Sequence, residues 1–130
     1  LYNINLAQQF IIQNNTFFVN FEEGSKKGFG AFKKEQNSYK AFIKLNWEDG
    51  FLGSILEMPK KDTKSLFIKF YTDIEPLSKL IESSKEELKS ALKEESLNVK
   101  SIDVFILKAS EFDLEVIKNI NESSNLNIFT

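Results

Sequence analysis

Residues 39–47 read YKAFIKLNW. Tyr39, Ala41, Ile43, Leu45 and Trp47 alternate with Lys40, Lys44 and Asn46. Alternation with a period of two predicts a half-buried strand. The apolar set, with Trp47 at its end, is the expected core face. Working forward, Glu48-Asp49-Gly50 reads as a turn, SILEM at 54–58 as a short strand, and Pro59 to Lys64 as a polar turn. Residues 65–71 (SLFIKFY) alternate again, with Leu66, Ile68 and Phe70 on one face. Working backward, residues 35–38 (EQNS) read as a turn and 28–34 as a short strand carrying Phe29 and Phe32. The runs Phe10–Ile12 and Phe17–Phe21 flank Asn14-Asn15. Asn tolerates positive φ, so this reads as a hairpin.

The period changes at Pro76. Leu77, Leu80, Ile81, Ser84, Leu88, Ala91 and Leu92 follow helical spacing between Ser, Lys and Glu residues. One amphipathic helix of about five turns is expected there, with Pro76 at its first position. Ser84-Lys85-Glu86-Glu87 also matches a capping box, which marks where a second helix would start. Residues 101–107 (SIDVFIL) read as a strand. Phe112, Val116, Ile117 and Ile120 fit a short helix capped by Ser110, and the final NESSNLNIFT reads as a frayed tail.

The expected class is therefore α+β: a mainly antiparallel sheet, one long amphipathic helix packed on a face, and a short C-terminal helix. Residues 1–130 read as a single domain. Its core is 39–107, with additional N-terminal strands in 1–38 and a short helix and tail in 109–130.

Composition limits the chemistry. The 130-residue chain has 17 Lys and 19 acidic residues, for a net charge of -2, and it contains no Cys, His or Arg. There is no thiol nucleophile, no zinc-thiolate site, no imidazole base and no guanidinium fork. The near balance of charge argues against a nucleic-acid partner. No apolar run approaches the ~20 residues that span a bilayer, and no signal peptide is visible. A start at Leu1 rather than Met reads as a piece of a longer chain.

The motifs that could carry chemistry resolve into structure. The pairs Glu22-Glu23, Glu48-Asp49, Glu86-Glu87 and Glu94-Glu95 are adjacent in sequence, so their side chains diverge. GSKKGFG at 24–30 lacks the spacing of a phosphate-binding loop. An enzyme would need distant carboxylates, such as Glu57 and Asp103, to converge. No catalytic residue, cofactor, metal or small-molecule substrate is expected. Protein contact is the remaining class. Its candidate points are the turn Asp49, Gly50, Phe51, Leu52 and Gly53, the charged helix face Lys79, Glu82, Glu86 and Lys89, and the tail after Ser110.

The stretch from Tyr39 to Leu107 resembles the C-terminal domain of flagellar hook-length control proteins. Leu52, Gly53 and Ile55 lie along that family's Leu-Gly strand motif, while Asp49 stands where the family has Pro. Leu66, Ile68 and Phe70 match its second strand, Leu77, Ile81, Leu88 and Leu92 its helix, and Ile102 and Val104 its final strand. Ser96 stands at the family's turn glycine. The resemblance implies a domain that binds the cytoplasmic domain of the membrane-embedded export switch protein. It implies that export then changes from hook to filament subunits. It also implies a cytoplasmic place of action with passage through the flagellar type III export apparatus. The alternative is a protein-interaction or assembly module unrelated to flagella.

Overall fold

The computed structural model describes the backbone of residues 5–13 and 16–129, and the side chains of 16–20 and 22–121. Seven strands form one sheet in chain order: β1 (Asn5–Gln13), β2 (Thr16–Glu23), β3 (Lys26–Lys34), β4 (Ser38–Trp47), β5 (Gly50–Pro59), β6 (Ser65–Thr72) and β7 (Asn98–Ile106). The five pairings from β1 to β6 are antiparallel. Tight turns connect β2 to β6. The expected turn at Asn14-Asn15 lies outside the described residues, although Gln13 and Thr16 on either side of it pair.

β6 and β7 are parallel. Parallel neighbours need a crossover of a dozen or more residues, and α1 (Glu75–Ser83) and α2 (Lys85–Glu94) supply it. A third helix, α3 (Ala109–Phe129), follows β7. The protein is 50% strand and 30% helix.

This corrects the expected α+β arrangement. The sheet is mixed, and the single long helix expected over 76–92 is two shorter ones. The helical spacing over 76–92 is real, but the helix breaks at Ser84, where φ is -103° and ψ is 6°. The Ser84 amide bonds back to the Ile81 carbonyl, and no side-chain cap forms. On either side of the break, α1 packs on β6 and β7, and α2 packs on β7. Pro76 lies one residue inside α1, which starts at Glu75. α3 starts at Ala109, so Ser110, the expected cap, lies inside the helix, and the Glu111 carboxylate accepts the Lys108 amide at 2.9 Å. The strand expected at 54–58 extends to Gly50–Pro59, and the final ten residues, expected as a frayed tail, continue α3 as far as Phe129.

Each face of the sheet has its own core. Leu66, Ile68, Val99 and Ile102 pack with Leu56, Met58, Leu88 and Leu92 beneath α2. On the opposite face Phe112, Val116 and Ile120 of α3 pack on Ala31, Phe42, Phe51, Ile55 and Tyr71. β4 therefore buries the side that its pattern marks as polar. Phe42 is fully buried against α3, and Lys44 beside it is buried too. Trp47, expected in the core, is 37% exposed. Alternation separates the two faces of a strand but does not say which one a distant helix will cover.

Candidate functional site

Three lysines hold α3 to the sheet. The Lys44 ammonium donates to Asp113 Oδ1 at 2.7 Å. Lys40 donates to Asn119 Oδ1 at 3.1 Å and pairs with Glu35 at 3.3 Å. Lys33 donates to the backbone carbonyls of Asn119 and Ile120. Burial pushes the Lys33 ammonium below its usual range, against a smaller opposing pull from Glu35. These contacts place charge where a helix–sheet seam is usually apolar, and each buried ammonium is hydrogen-bonded, as burial requires. Gly53 completes the seat, because the Phe112 ring lies where its Cβ would be.

Beside α3 a groove of about 640 Å³ opens over β2 to β4. Phe18, Phe29, Val116 and Ile120 form its apolar part, and the Lys44–Asp113 pair lines it. That pair cancels its own charge.

The other side of β2 to β4 is different. The pairings Phe17↔Phe32, Phe32↔Ala41 and Gly30↔Ile43 put these side chains on one face with Tyr39, Leu45 and Trp47. α1 and α2 cover the β6–β7 end of this face and leave β2 to β4 open. Phe32 is 56% exposed, Tyr39 41%, and Ile43 and Trp47 both 37%. Gly28 and Gly30 make a strip without side chains between them. The result is an aromatic and aliphatic surface on adjacent strands that is available for binding.

The residues singled out from sequence fall in several places. Asp49 is exposed at the β4–β5 turn. Gly50 has φ 154°, and a Cβ there would meet Asp73 Oδ1, which accepts the Phe51 amide at 2.9 Å. Phe51 is 1% exposed, its ring centroid 5.7 Å from that of Phe112, so it offers no contact surface. Burial likewise removes Gly53, and Leu52 is half-buried on the opposite face. Lys79, Glu82 and Glu86 are exposed and Lys89 is half-buried. Lys79 pairs with Glu75, Glu82 with Lys85 and Glu86 with Lys89 at 2.9 to 3.7 Å. The structure does not bring this helix face together with the Asp49 turn into one site. Glu57 and Asp103 stand on strands separated by β6. The open face is the face that the alternation at 39–47 marks as apolar, which by itself predicts core.

Among the described residues no three acidic side chains converge to hold a metal ion, and no helix is long and apolar enough to cross a membrane. No protein family, curated protein or solved structure matches this chain.

Proposed function

We propose that this chain is a protein-docking domain whose working surface is the open face of β2 to β4. The exposure of Phe32, Tyr39, Ile43 and Trp47 together carries this reading. Scattered exposed apolar residues are ordinary, whereas a contiguous patch marks a contact surface. The domain acts by shape and apolar area and performs no covalent chemistry. Trp47 is the only Trp in the chain and reports on the patch directly. Covering the face shifts its emission to the blue. The test adds either more of this domain or the cytoplasmic domain of the export switch protein. An unmoved Trp47 spectrum with both, on folded protein, overturns the reading.

A narrower reading follows from the resemblance to hook-length control domains. One observation favours it. Ser96, at the family's turn glycine, has φ 66°, the left-handed conformation that glycine adopts most readily. On this reading the domain contacts the export switch protein and changes export from hook to filament subunits. Asp49, Lys79, Glu82 and Glu86 remain exposed for that contact. Pull-down against the cytoplasmic domain of the switch protein tests it. Absence of capture with both partners folded removes the flagellar reading and leaves the docking surface standing.

A further inference from the structure

We infer that the occupant of the open face is a second copy of this chain, packed face to face across a two-fold axis that crosses β4 at Ile43, at right angles to the strands. The inference rests on the docking reading above and names its partner. Three features of the face carry it.

The first is charge. At the Tyr39 end the face is bounded by Lys34, which pairs with Tyr39, and by Lys60, whose ammonium lies 5.5 Å from the Tyr39 ring centroid. At the Trp47 end it is bounded by Glu48 and Asp49 in the turn and by the Glu23↔Lys26 pair. Lys34, Lys26 and the three acids are exposed. The face is thus basic at one end and mainly acidic at the other. A two-fold axis along the strands would stack like ends on each other, which is repulsive. An axis across the strands at Ile43 brings the Lys60 end of each copy to the Asp49 end of the other.

The second is shape. Gly30 pairs with Ile43, so the axis runs along that row. Phe32 lies two residues to one side and Gly28 two residues to the other. The two-fold operation therefore carries Phe32 of each copy over the bare Gly28–Gly30 strip of its mate. A Cβ built at Gly30 meets only the Phe42 carbonyl, at 3.9 Å, so the face is open at Gly30 on the axis. A self-complementary knob and hollow is what an isologous interface requires.

The third is area. At about 200 Å² per large side chain, the exposed fractions of Phe17, Phe32, Tyr39, Ile43 and Trp47 leave on the order of 400 Å² of side chain in water. Ala41, Leu45 and the lysine stems extend this toward the ~800 Å² per partner of a standard interface. Sheets packed in this way lie ~10 Å apart with strands crossing at about 30°.

The chain has no cysteine, so Ile43→Cys introduces a unique thiol on the axis. A short bismaleimide is expected to link this variant into covalent dimers, while Ser90→Cys on the exposed side of α2 stays monomeric under the same treatment. By sedimentation equilibrium, Ile43→Lys is expected to weaken self-association by about 30-fold or more, the level of an interface hot spot. Asp49→Lys weakens it, and Lys60→Glu added to Asp49→Lys restores it; a patch that is merely sticky shows no such rescue. Equal cross-linking at positions 43 and 90, or absence of rescue by the double exchange, overturns the two-fold arrangement. A chain that stays monomeric while Trp47 still shifts with another protein overturns the dimer and leaves the docking surface. A monomer whose Trp47 never shifts overturns both.

Discussion

The Phe112 ring of α3 sits directly on Gly53 of β5, where a built Cβ would come within 2.7 Å of three ring carbons. Phe112 is fully buried, and its ring also tilts against Tyr71 at 5.1 Å between centroids. The bare backbone at Gly53 is what allows α3 to settle at this height over the sheet. Gly53→Ala is therefore an overpacking change and is expected to cost about 1–3 kcal/mol. Urea unfolding should show a lower midpoint with an unchanged slope. Wild-type stability in this variant would mean that α3 is not seated on β5.

The Lys44–Asp113 pair is asymmetric, with Lys44 buried and the Asp113 side chain 44% exposed. Removing the acid leaves a buried ammonium without its partner, whereas removing the lysine leaves a carboxylate in contact with water. Asp113→Ala is expected to cost roughly 1–2 kcal/mol after allowance for screening at the exposed acid. Lys44→Met is expected to cost less than about 1 kcal/mol, since an apolar side chain of similar length fills the same space. Chemical denaturation of both variants checks the order, and the opposite ranking would refute the asymmetry.

Ser96 occupies the position after the C-cap of α2. The Leu97 amide donates to the Leu92 carbonyl at 2.9 Å and the Ser96 amide to the Lys93 carbonyl at 3.0 Å. These two bonds form a Schellman motif, which favours glycine at the residue with positive φ. A left-handed non-glycine residue is strained by roughly 1–2 kcal/mol, partly offset by the greater chain entropy that glycine loses on folding. Ser96→Gly is expected to stabilise the domain by about 0.5–1 kcal/mol. A lower thermal midpoint would contradict the left-handed turn.

Burial raises the Tyr71 phenol above its ordinary value, with smaller contributions from Glu115 and Asp103. As pH rises past the ordinary phenol value, the unfolded chain releases this proton while the folded chain retains it. The folded state then binds more protons, so stability falls with pH until the raised value is passed. Lys33 acts in the opposite sense, because its lowered value makes stability rise with pH between that value and the ordinary lysine value. The difference between wild type and Tyr71→Phe isolates the phenol. The variant should lose less stability across the alkaline limb, and identical alkaline slopes would sink the assignment.

Much of the local structure was legible in the chain. Alternation over 39–47 and 65–71 marks β4 and β6, and the change of period at Pro76 marks α1. These signals are local: a side chain's direction follows from its place in a strand or helix. The helix break at Ser84 was half legible. The residues there fit a restart, but whether one helix continues depends on the sheet beneath it. Phe51 shows a related limit. It is apolar and next to a turn, and only α3, reached some 60 residues later, decides that it is core.

By itself, the sequence determined the strand and helix periods, the absence of thiol, imidazole and guanidinium chemistry, and which residues of β4 share a face. The tertiary structure alone decided which face is covered. α3 sits on Phe42 because Gly53 leaves room for Phe112, while Lys33, Lys40 and Lys44 reach polar groups along the helix. A buried lysine is tolerable only where such partners exist, and sequence periodicity carries no information about a helix that returns from so far along the chain. That placement leaves Ile43 and Trp47, the expected core, on the open face of the sheet.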